Sequence, residues 1–348
     1  MPQVLELPET LSPQTPNSER RRGATITRRY FIASGAGAAL LAAAPGAAHG
    51  QAATPTATRV VTDMLGPVTL PDHPQRVVVE GNSTLGNMIA LGAKPLAATM
   101  NQNSLPAFLA GKIDGVEDVY DESAGGIDIE RMLALEPDLV IAVWGAGGTG
   151  WNLENVERYR QAVPATFAYE QNYVYEEDLK QNLLDVATAL NLEENAAGVL
   201  AAYDARVSAL RQAVQDAGFA DKPVTVLRVF NDGGYSIRIG TSESIIFRAI
   251  GIPQPEGQQD PTLFSIDVSP ERLDILNDAY AVVVYVDDNS TVTQEQILSS
   301  PLWQSVTAVQ EDRVIFVNSG IWNSIEIPGA MAIMDDIEQH LLPLGHGA

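Results

Sequence analysis

Short apolar runs alternate with amphipathic segments through the first part of the chain. Strand-like runs occupy residues 77–79, 139–143 and 166–169, and the run at 139–143 is apolar at every position. A continuous apolar run of this length is typical of a strand that is covered on both faces of a sheet. Helical spacing appears between these runs, as at residues 84–91 and 129–135. The alternation predicts a parallel sheet with helices packed on it.

The pattern changes between residues 176 and 217. Apolar residues there recur three and four positions apart over two consecutive segments, which predicts two helices in succession, the second of them long. Strand-like runs resume at residues 224–229, 281–286 and 314–317, and the chain ends in an amphipathic segment from about residue 330. The two helices therefore separate two regions that each alternate between strands and helices.

The second region repeats features of the first at a constant offset. Glu130 lies two residues after Asp128 at the start of a predicted helix, and Glu271 lies two residues after Ser269 in the same context. Asp and Ser are common residues at a helix N-cap. We predict an α/β fold of two similar lobes with parallel-type sheets, joined by a long bridging helix, with a ligand cleft between the lobes. The predicted divisions are an export signal at 1–50, a spacer at 51–58, an N-terminal α/β lobe at 59–190, the bridging helix at 191–220 and a C-terminal α/β lobe at 221–348.

Residues 1–50 have the order of regions found in export signals. A basic stretch that includes the pair Arg28 and Arg29 precedes an apolar stretch rich in Gly and Ala. That stretch is shorter than the roughly 20 residues needed to cross a bilayer. The arginine pair before a weakly hydrophobic stretch favours a twin-arginine signal over an ordinary secretory signal with an incidental pair. We therefore predict an exported, periplasmic or otherwise extracytoplasmic protein, although an uncleaved N-terminal anchor would give the same pattern.

Composition excludes several classes of function. The chain has 348 residues, with 44 Asp and Glu against 21 Lys and Arg, and its formal net charge is −23. A chain this acidic repels phosphate backbones, which argues against nucleic acid as a partner. The sequence contains no cysteine, so we expect no disulfide, no thiolate metal site and no lipid anchor linked through Cys. The four histidines lack metal-ligand spacing, and we predict no metal site of the protein's own.

Several segments in a fixed order resemble one family. The resemblance begins with the Pro-Gln-Arg-Val-Val-Val segment at 74–79 and the Leu-Gly-Ala-Lys-Pro-Leu segment at 91–96. It continues through residues 129–141 and ends with the Pro-Leu-Trp-Gln-Ser segment at 301–305. Together these segments resemble the substrate-binding proteins of ABC importers for ferric siderophores, haem and cobalamin. The segment at 226–238 is similar to that of siderophore-type members.

The resemblance implies a non-catalytic protein that captures a ferric siderophore, an iron chelate, and delivers it to ABC permease subunits in the membrane. Haem or cobalamin is the alternative ligand, although the scarcity of histidine argues against haem. The resemblance implies no cofactor, because the iron is bound through its chelator, and we expect a monomer. In the family one glutamate of each lobe docks on permease arginines, and Glu130 and Glu271 occupy matching positions. The alternative is that each merely favours its helix dipole, by about 0.3–1 kcal/mol.

Ligands of open α/β sheets lie beyond the carboxyl ends of the strands. Arginine offers a planar fork to chelate oxygens, and an aromatic ring offers a flat apolar face. The side chains of these types that we predict in the cleft are Trp144, Arg228, Tyr235, Arg238 and Trp322. Surface ion pairing for the arginines and packing between lobes for the tryptophans are the alternatives. Tyr173 and Tyr175 could bind ferric iron directly, but their place before a helix favours packing.

Other functional classes have weaker signals. The chain has no Gly-x-Ser-x-Gly segment, and its histidines show no arrangement typical of a hydrolase. The glycine-rich residues 145–150 lack the Lys-Ser/Thr ending of a phosphate loop, and Asp287-Asp288 lacks the rest of an EF-hand. A two-lobed sensor or metallochaperone would share the fold, because a fold does not by itself fix a function.

Overall fold

The computed structural model describes residues 57–100, 105–145, 153–288 and 290–346. The predicted export signal, with Arg28 and Arg29, lies outside these residues, as does most of the glycine-rich segment at 145–150. Within the described ranges, no helix has the length and apolar character needed to cross a membrane.

Strands occur throughout the described part of the chain. They are β1 (Thr58–Asp63), β2 (Gly66–Pro71), β3 (Val77–Val79), β4 (Ala97–Ala98), β5 (Glu117–Asp118), β6 (Tyr120–Asp121), β7 (Gly126–Ile127), β8 (Leu139–Trp144), β9 (Thr166–Glu170), β10 (Val224–Val229), β11 (Tyr235–Arg238), β12 (Ser265–Val268), β13 (Ala281–Val286) and β14 (Val314–Val317).

Helices connect most of these strands. The α-helices are α1 (Asn82–Ala90), α2 (Ile129–Ala134), α3 (Leu153–Ala162), α4 (Glu176–Leu190), α5 (Glu193–Asp216), α6 (Ser242–Ile250), α7 (Gln294–Ser299), α8 (Thr307–Gln310), α9 (Ser319–Trp322) and α10 (Ile327–Asp336). Tighter 3₁₀ turns occupy Ala107–Leu109, Glu256–Gln258, Pro270–Asp278, Trp303–Ser305 and Leu342–His346, and a π-helical turn occupies Ile337–Leu341.

Each of the two lobes is built on a five-stranded sheet. The N-terminal sheet has the order β5-β4-β3-β8-β9, and all of its neighbouring strands are parallel. The C-terminal sheet has the order β12-β11-β10-β13-β14, in which β10, β13 and β14 are parallel. β3 and β10 are the central strands, and β8 and β13 are each the fourth strand, so these positions correspond in the two sheets.

The C-terminal sheet differs from the predicted parallel type at one edge. β11 is antiparallel to β10, and β12 is antiparallel to β11. The cause is the short connection between β10 and β11, where the backbone N–H of Phe230 donates to Gly234 and Gly233 has a φ of 85°. A connection this short permits a hairpin, whereas a parallel pair requires a crossover of a dozen or so residues.

The two predicted helices between the lobes are present as α4 and α5. Asn191 ends α4 in the left-handed conformation, with a φ of 61°, and its backbone N–H donates to Ala187. α5 then continues for 24 residues, a length of about 36 Å at the rise of an α-helix. The predicted residue boundaries of the lobes and the bridge stay predictions.

The hydrophobic core is arranged so that one cluster is shared by both lobes. This cluster contains Leu85 of α1, Leu183 of α4, Leu210 of α5, Phe247 of α6 and Ile333 of α10. Two smaller clusters each cover the other face of one sheet. Because buried side chains from both lobes pack in one cluster, a large movement of one lobe against the other would disrupt close packing.

Candidate ligand site between the lobes

The carboxyl ends of strands from both sheets lead into the same junction. Tyr173, which follows β9, packs edge-on against Phe264 of the C-terminal lobe, with ring centroids 6.1 Å apart. The Arg248 guanidinium of α6 donates to the backbone oxygen of Val174 at 2.9 Å. The chain beyond β9 therefore contacts the C-terminal lobe directly.

A second set of contacts joins the lobes through α9 and α10. The backbone N–H of Ile327, at the start of α10, donates to Oδ1 of Asn87 in α1 at 3.3 Å. Gly320 in α9 lies so close to Leu105 that a Cβ at this position would come within 3.2 Å of the Leu105 backbone oxygen. Because α9 directly follows β14, this contact brings a strand end of the C-terminal sheet to the junction.

Arg238, at the end of β11, contacts the aromatic pair of Tyr173 and Phe264 at this junction. Its guanidinium lies over the ring of Phe264, 4.5 Å from the ring centroid, and the residue is only 4% exposed. Its Nε is 3.6 Å from Oε1 of Glu243, which is longer than a hydrogen bond, and has no hydrogen-bond partner among the described residues. A buried N–H without a hydrogen-bond partner costs free energy, and the charge of the Glu243 carboxylate at this distance offsets part of that cost.

Glu243 is held in place by a buried phenol. The Tyr285 hydroxyl donates to Oε1 of Glu243 at 3.1 Å, and both residues are buried. Burial, together with the adjacent carboxylate of Glu243, holds the pKa of Tyr285 well above its usual range. The phenol therefore stays protonated and fixes the carboxylate beside Arg238.

Arg228, in β10, already has a complete carboxylate partner. Its Nε and Nη2 donate to the two oxygens of Asp287 at 2.8 and 3.0 Å, and its guanidinium lies 4.8 Å from the centroid of the Phe230 ring. These two hydrogen bonds use guanidinium N–H groups that we had predicted to bind the ligand. Arg228 therefore lies at the predicted strand end, engaged with its own lobe.

Two other predicted residues lie at or near strand ends. Trp144 is the half-buried last residue of β8, and its backbone oxygen accepts from Gln171 at 2.7 Å. Tyr235 begins β11, where its hydroxyl accepts from the Trp303 indole at 3.1 Å and the two rings meet edge to face. Trp144 is therefore close to the junction, whereas the contacts of Tyr235 favour a packing role.

Trp322 lies inside the shared core. It is 1% exposed, packs edge-on against Phe247, and donates from its indole N–H to Asp336 at 2.8 Å. These contacts favour the packing alternative for Trp322 over contact with a ligand.

Two buried carboxyl groups flank the junction. Glu80, which follows β3, accepts from the Val143 N–H at 3.1 Å and from the Tyr159 hydroxyl at 3.0 Å. Glu326 precedes α10 and accepts from the Ile325 N–H at 3.0 Å. Burial raises the pKa of Glu80 to about 7 and that of Glu326 to about 7, against the effect of these hydrogen bonds.

No described group of three or more His, Asp or Glu residues is arranged to hold a metal ion. Asp287 is paired with Arg228, and the carboxylate of Asp288 accepts from the Ser319 hydroxyl. The two acidic residues whose sequence lacks the rest of an EF-hand therefore each have a partner within the C-terminal lobe.

Glu130 and Glu271 occupy corresponding places in the two lobes. Glu130 is exposed in the first turn of α2, which leads into β8, and Glu271 is exposed in the first turn of the Pro270–Asp278 helix, which leads into β13. Asp128 caps α2 by accepting from the Arg131 N–H at 3.1 Å, whereas the Ser269 side chain makes no capping bond. The matched positions noted in the sequence are thus at matching strands of the two sheets.

Sequence reasoning missed Phe264 and Glu243. Phe264 stands beside Leu263 in a polar segment, and both are 47% exposed. An apolar pair in a polar loop is a signal that could have been followed. Glu243 carried no such signal, because a glutamate in the first turn of a helix is common on protein surfaces.

The fold and this junction define a two-lobed ligand-binding protein. The chain belongs to the periplasmic binding protein family, whose model matches residues 77–319. The resemblance inferred from the sequence and the predicted fold class are confirmed.

Particular relatives match over most of their length. A Bacillus subtilis protein named "Probable siderophore-binding lipoprotein YfiY" is 28% identical over 303 residues, which are 82% of this chain and 88% of that protein. The crystal structure of Staphylococcus aureus SirA complexed with staphyloferrin B is similar with a TM-score of 0.66 at 21% identity, covering 82% of this chain and 98% of SirA. That of B. subtilis FeuA complexed with ferri-bacillibactin has a TM-score of 0.66 at 17% identity, covering 83% and 100%.

Proposed function

We propose that this protein captures a ferric siderophore outside the cytoplasm and delivers it to the permease of an ABC importer. The proposal is carried by the match to YfiY, a relative named for siderophore binding, over most of both chains. The junction between the lobes supports it, because Arg238 and two aromatic rings meet there. The protein acts by binding and not by catalysis, and the iron enters as cargo within its chelator.

We place the chelate against Arg238, Phe264 and Tyr173, with Trp144 at the facing strand end. A shift of the Phe264 ring that lies over Arg238 would let the guanidinium donate to a chelate oxygen, and the Phe264 and Tyr173 rings would cover the apolar part of the ligand. Arg228 would join the site only by giving up part of its pair with Asp287. Tyr235 and Trp322 would support the site by packing.

The partners and location follow from the same function. Permease subunits would bind through Glu130 and Glu271, and the protein would act as an exported monomer with a twin-arginine signal. YfiY is named a lipoprotein, so the relatives give no support to an unlipidated form. We propose an unlipidated form because the sequence contains no cysteine to carry a lipid.

The binding function is tested by titrating the protein with ferrioxamine B, a ferric trihydroxamate, and following tryptophan fluorescence. Quenching is expected for the wild type, and Arg238→Ala should weaken binding by about 1.5–3 kcal/mol, the range for a hydrogen bond to a charged group. Arg272→Ala is the control, because Arg272 is exposed and its Nε pairs with the exposed Asp274.

Haem and cyanocobalamin are titrated in parallel. Saturable binding of either, with no response to any ferric siderophore, would contradict the proposal in favour of the alternative ligand. Equal affinity of the Arg238→Ala variant and the wild type would remove Arg238 from the site.

Ligand binding should change the shape of the protein only slightly. The lobes share one core cluster and are connected by α4 and α5, so a large closure would cost packing. Small-angle X-ray scattering with and without ferrioxamine B should give nearly the same radius of gyration. A clear compaction on binding would contradict this interpretation of the bridge.

A further inference from the structure

The guanidinium groups at the candidate site are already beside carboxylates of their own lobe. The Nε and Nη2 atoms of Arg228 donate to the two carboxylate oxygens of Asp287, at 2.8 and 3.0 Å. Arg238 lies 3.6 Å from the carboxylate of Glu243. An anionic ligand would therefore meet two neutralised pairs and not two free positive charges.

The neighbouring strand ends add more negative charge. Asp288 is exposed next to Asp287, and Glu170 is exposed at the end of β9, opposite Trp144 in the sheet. A third guanidinium, that of Arg248, donates to the backbone oxygens of Ile239 and Val174. Among these residues, four carboxylates (Asp287, Asp288, Glu243 and Glu170) stand against three guanidiniums (Arg228, Arg238 and Arg248).

The internal segments outside the described ranges do not alter this balance of charge. Residues 101–104, 146–152 and 289 contain no Lys, Arg, Asp, Glu or His. They supply only neutral side chains to whatever surface they join. The chain as a whole has a formal net charge of −23, which adds a long-range repulsion of anions.

From this arrangement we infer that the site selects ferric chelates of neutral or positive net charge and rejects strongly anionic ones. The inference rests on the proposed function and specifies its class of substrate. Three hydroxamate groups carry one negative charge each and neutralise ferric iron, whereas three catecholate groups leave the complex with three negative charges. A neutral chelate can accept from Arg238 through its polarised oxygens without bringing net negative charge close to Asp287 and Asp288.

A series of ligands with one chelate geometry isolates the effect of charge. Ferrioxamine B is used with its pendant amine free, acetylated or succinylated, so that the complex is positive, neutral or negative. Affinity is measured by fluorescence titration at low ionic strength, where exposed charges are least screened. Affinity should fall along this order, and ferric enterobactin, a tris-catecholate, should bind at least about a hundredfold more weakly than the free amine form.

Protein variants assign the effect to the carboxylates. Asp287→Asn leaves the Arg228 charge without a carboxylate, and Asp288→Asn removes a charge without disturbing that pair. Each should raise the ratio of affinities for the succinylated over the free amine form, by about tenfold for Asp287→Asn. Glu311→Gln is the matched control, because it also removes a carboxylate paired with an arginine, Arg313. Glu311 and Arg313 precede β14 and so lie at the amino end of a strand, whereas Asp287 follows the carboxyl end of β13.

The outcomes separate this inference from the proposed function. Equal or tighter binding of the succinylated form and of ferric enterobactin would overturn the charge selection and leave siderophore binding intact. An unchanged ratio in both Asp variants, or an equal change in the Glu311→Gln control, would also overturn it. Failure of every ferric chelate to bind would instead count against the proposed function itself.

Discussion

Replacing Glu130 and Glu271 together by alanine is expected to abolish uptake of the ferric chelate while leaving its affinity for the binding protein within about twofold. Both side chains are exposed and lie in first helical turns that lead into corresponding strands of the two lobes. An exposed carboxylate–arginine pair is worth about 0.2–1 kcal/mol, but removing one partner at a desolvated interface can cost about 2–5 kcal/mol. Loss of one pair in each lobe would remove both attachments to the permease.

The measurement is transport of labelled ferric chelate by the reconstituted importer, with the binding titration run beside it. Glu154→Ala combined with Glu295→Ala is the matched control. These glutamates are also exposed in first helical turns, one in each lobe, so the control removes the same charge and the same helix-dipole contribution. Normal uptake by the Glu130/Glu271 variant, or equal loss in both double variants, would contradict a specific docking role.

The sequence was sufficient to predict most of the parallel strands of both sheets and the helices between the lobes, but not the two-residue strand β5. β8 and β13 are apolar at nearly every position because both faces of the sheet are covered there, and such runs are easily recognised. β11 was missed because its pattern is mixed: Ser236 and Arg238 are buried beside Ile237. Their burial depends on partners that come from other parts of the chain, such as Glu243.

The strand ends that carry the candidate residues could be recognised from the sequence, but the ion pairs among those residues could not. The rule that ligands lie at carboxyl ends of strands placed Arg238 and Trp144 near the junction. It could not predict the ion pair between Asp287 and Arg228, because these residues are 59 positions apart and are brought together by the parallel pairing of β10 and β13. The state of charge of the site, and with it the class of ligand, depends on such long-range contacts.

The buried carboxyl groups predict how stability depends on pH. Burial raises the pKa of Glu326 to about 7 in the folded protein, from 4.5 in the exposed group. Between these two values the unfolded chain releases the proton of Glu326 while the folded chain retains it. The contribution of Glu326 to folding stability is therefore fully present below about pH 4.5 and is lost as the pH rises to about 7, a change of roughly 3 kcal/mol. Glu80 contributes in the same direction.

Glu326→Gln should remove the part of this pH dependence that belongs to Glu326. Glutamine keeps the shape of the side chain between Gly86 and Gly329 but cannot ionise. The difference in free energy of unfolding between variant and wild type, measured by urea denaturation, should shift in favour of the variant by about 2–3 kcal/mol between pH 5 and pH 8. Comparing one difference at two pH values cancels any fixed cost of the amide in this buried position. Glu194→Gln, at an exposed glutamate of α5, is the control and should show almost no shift. If the Glu326→Gln difference were the same at both pH values, Glu326 would be ionised in the folded protein throughout this range, and burial would not govern its charge.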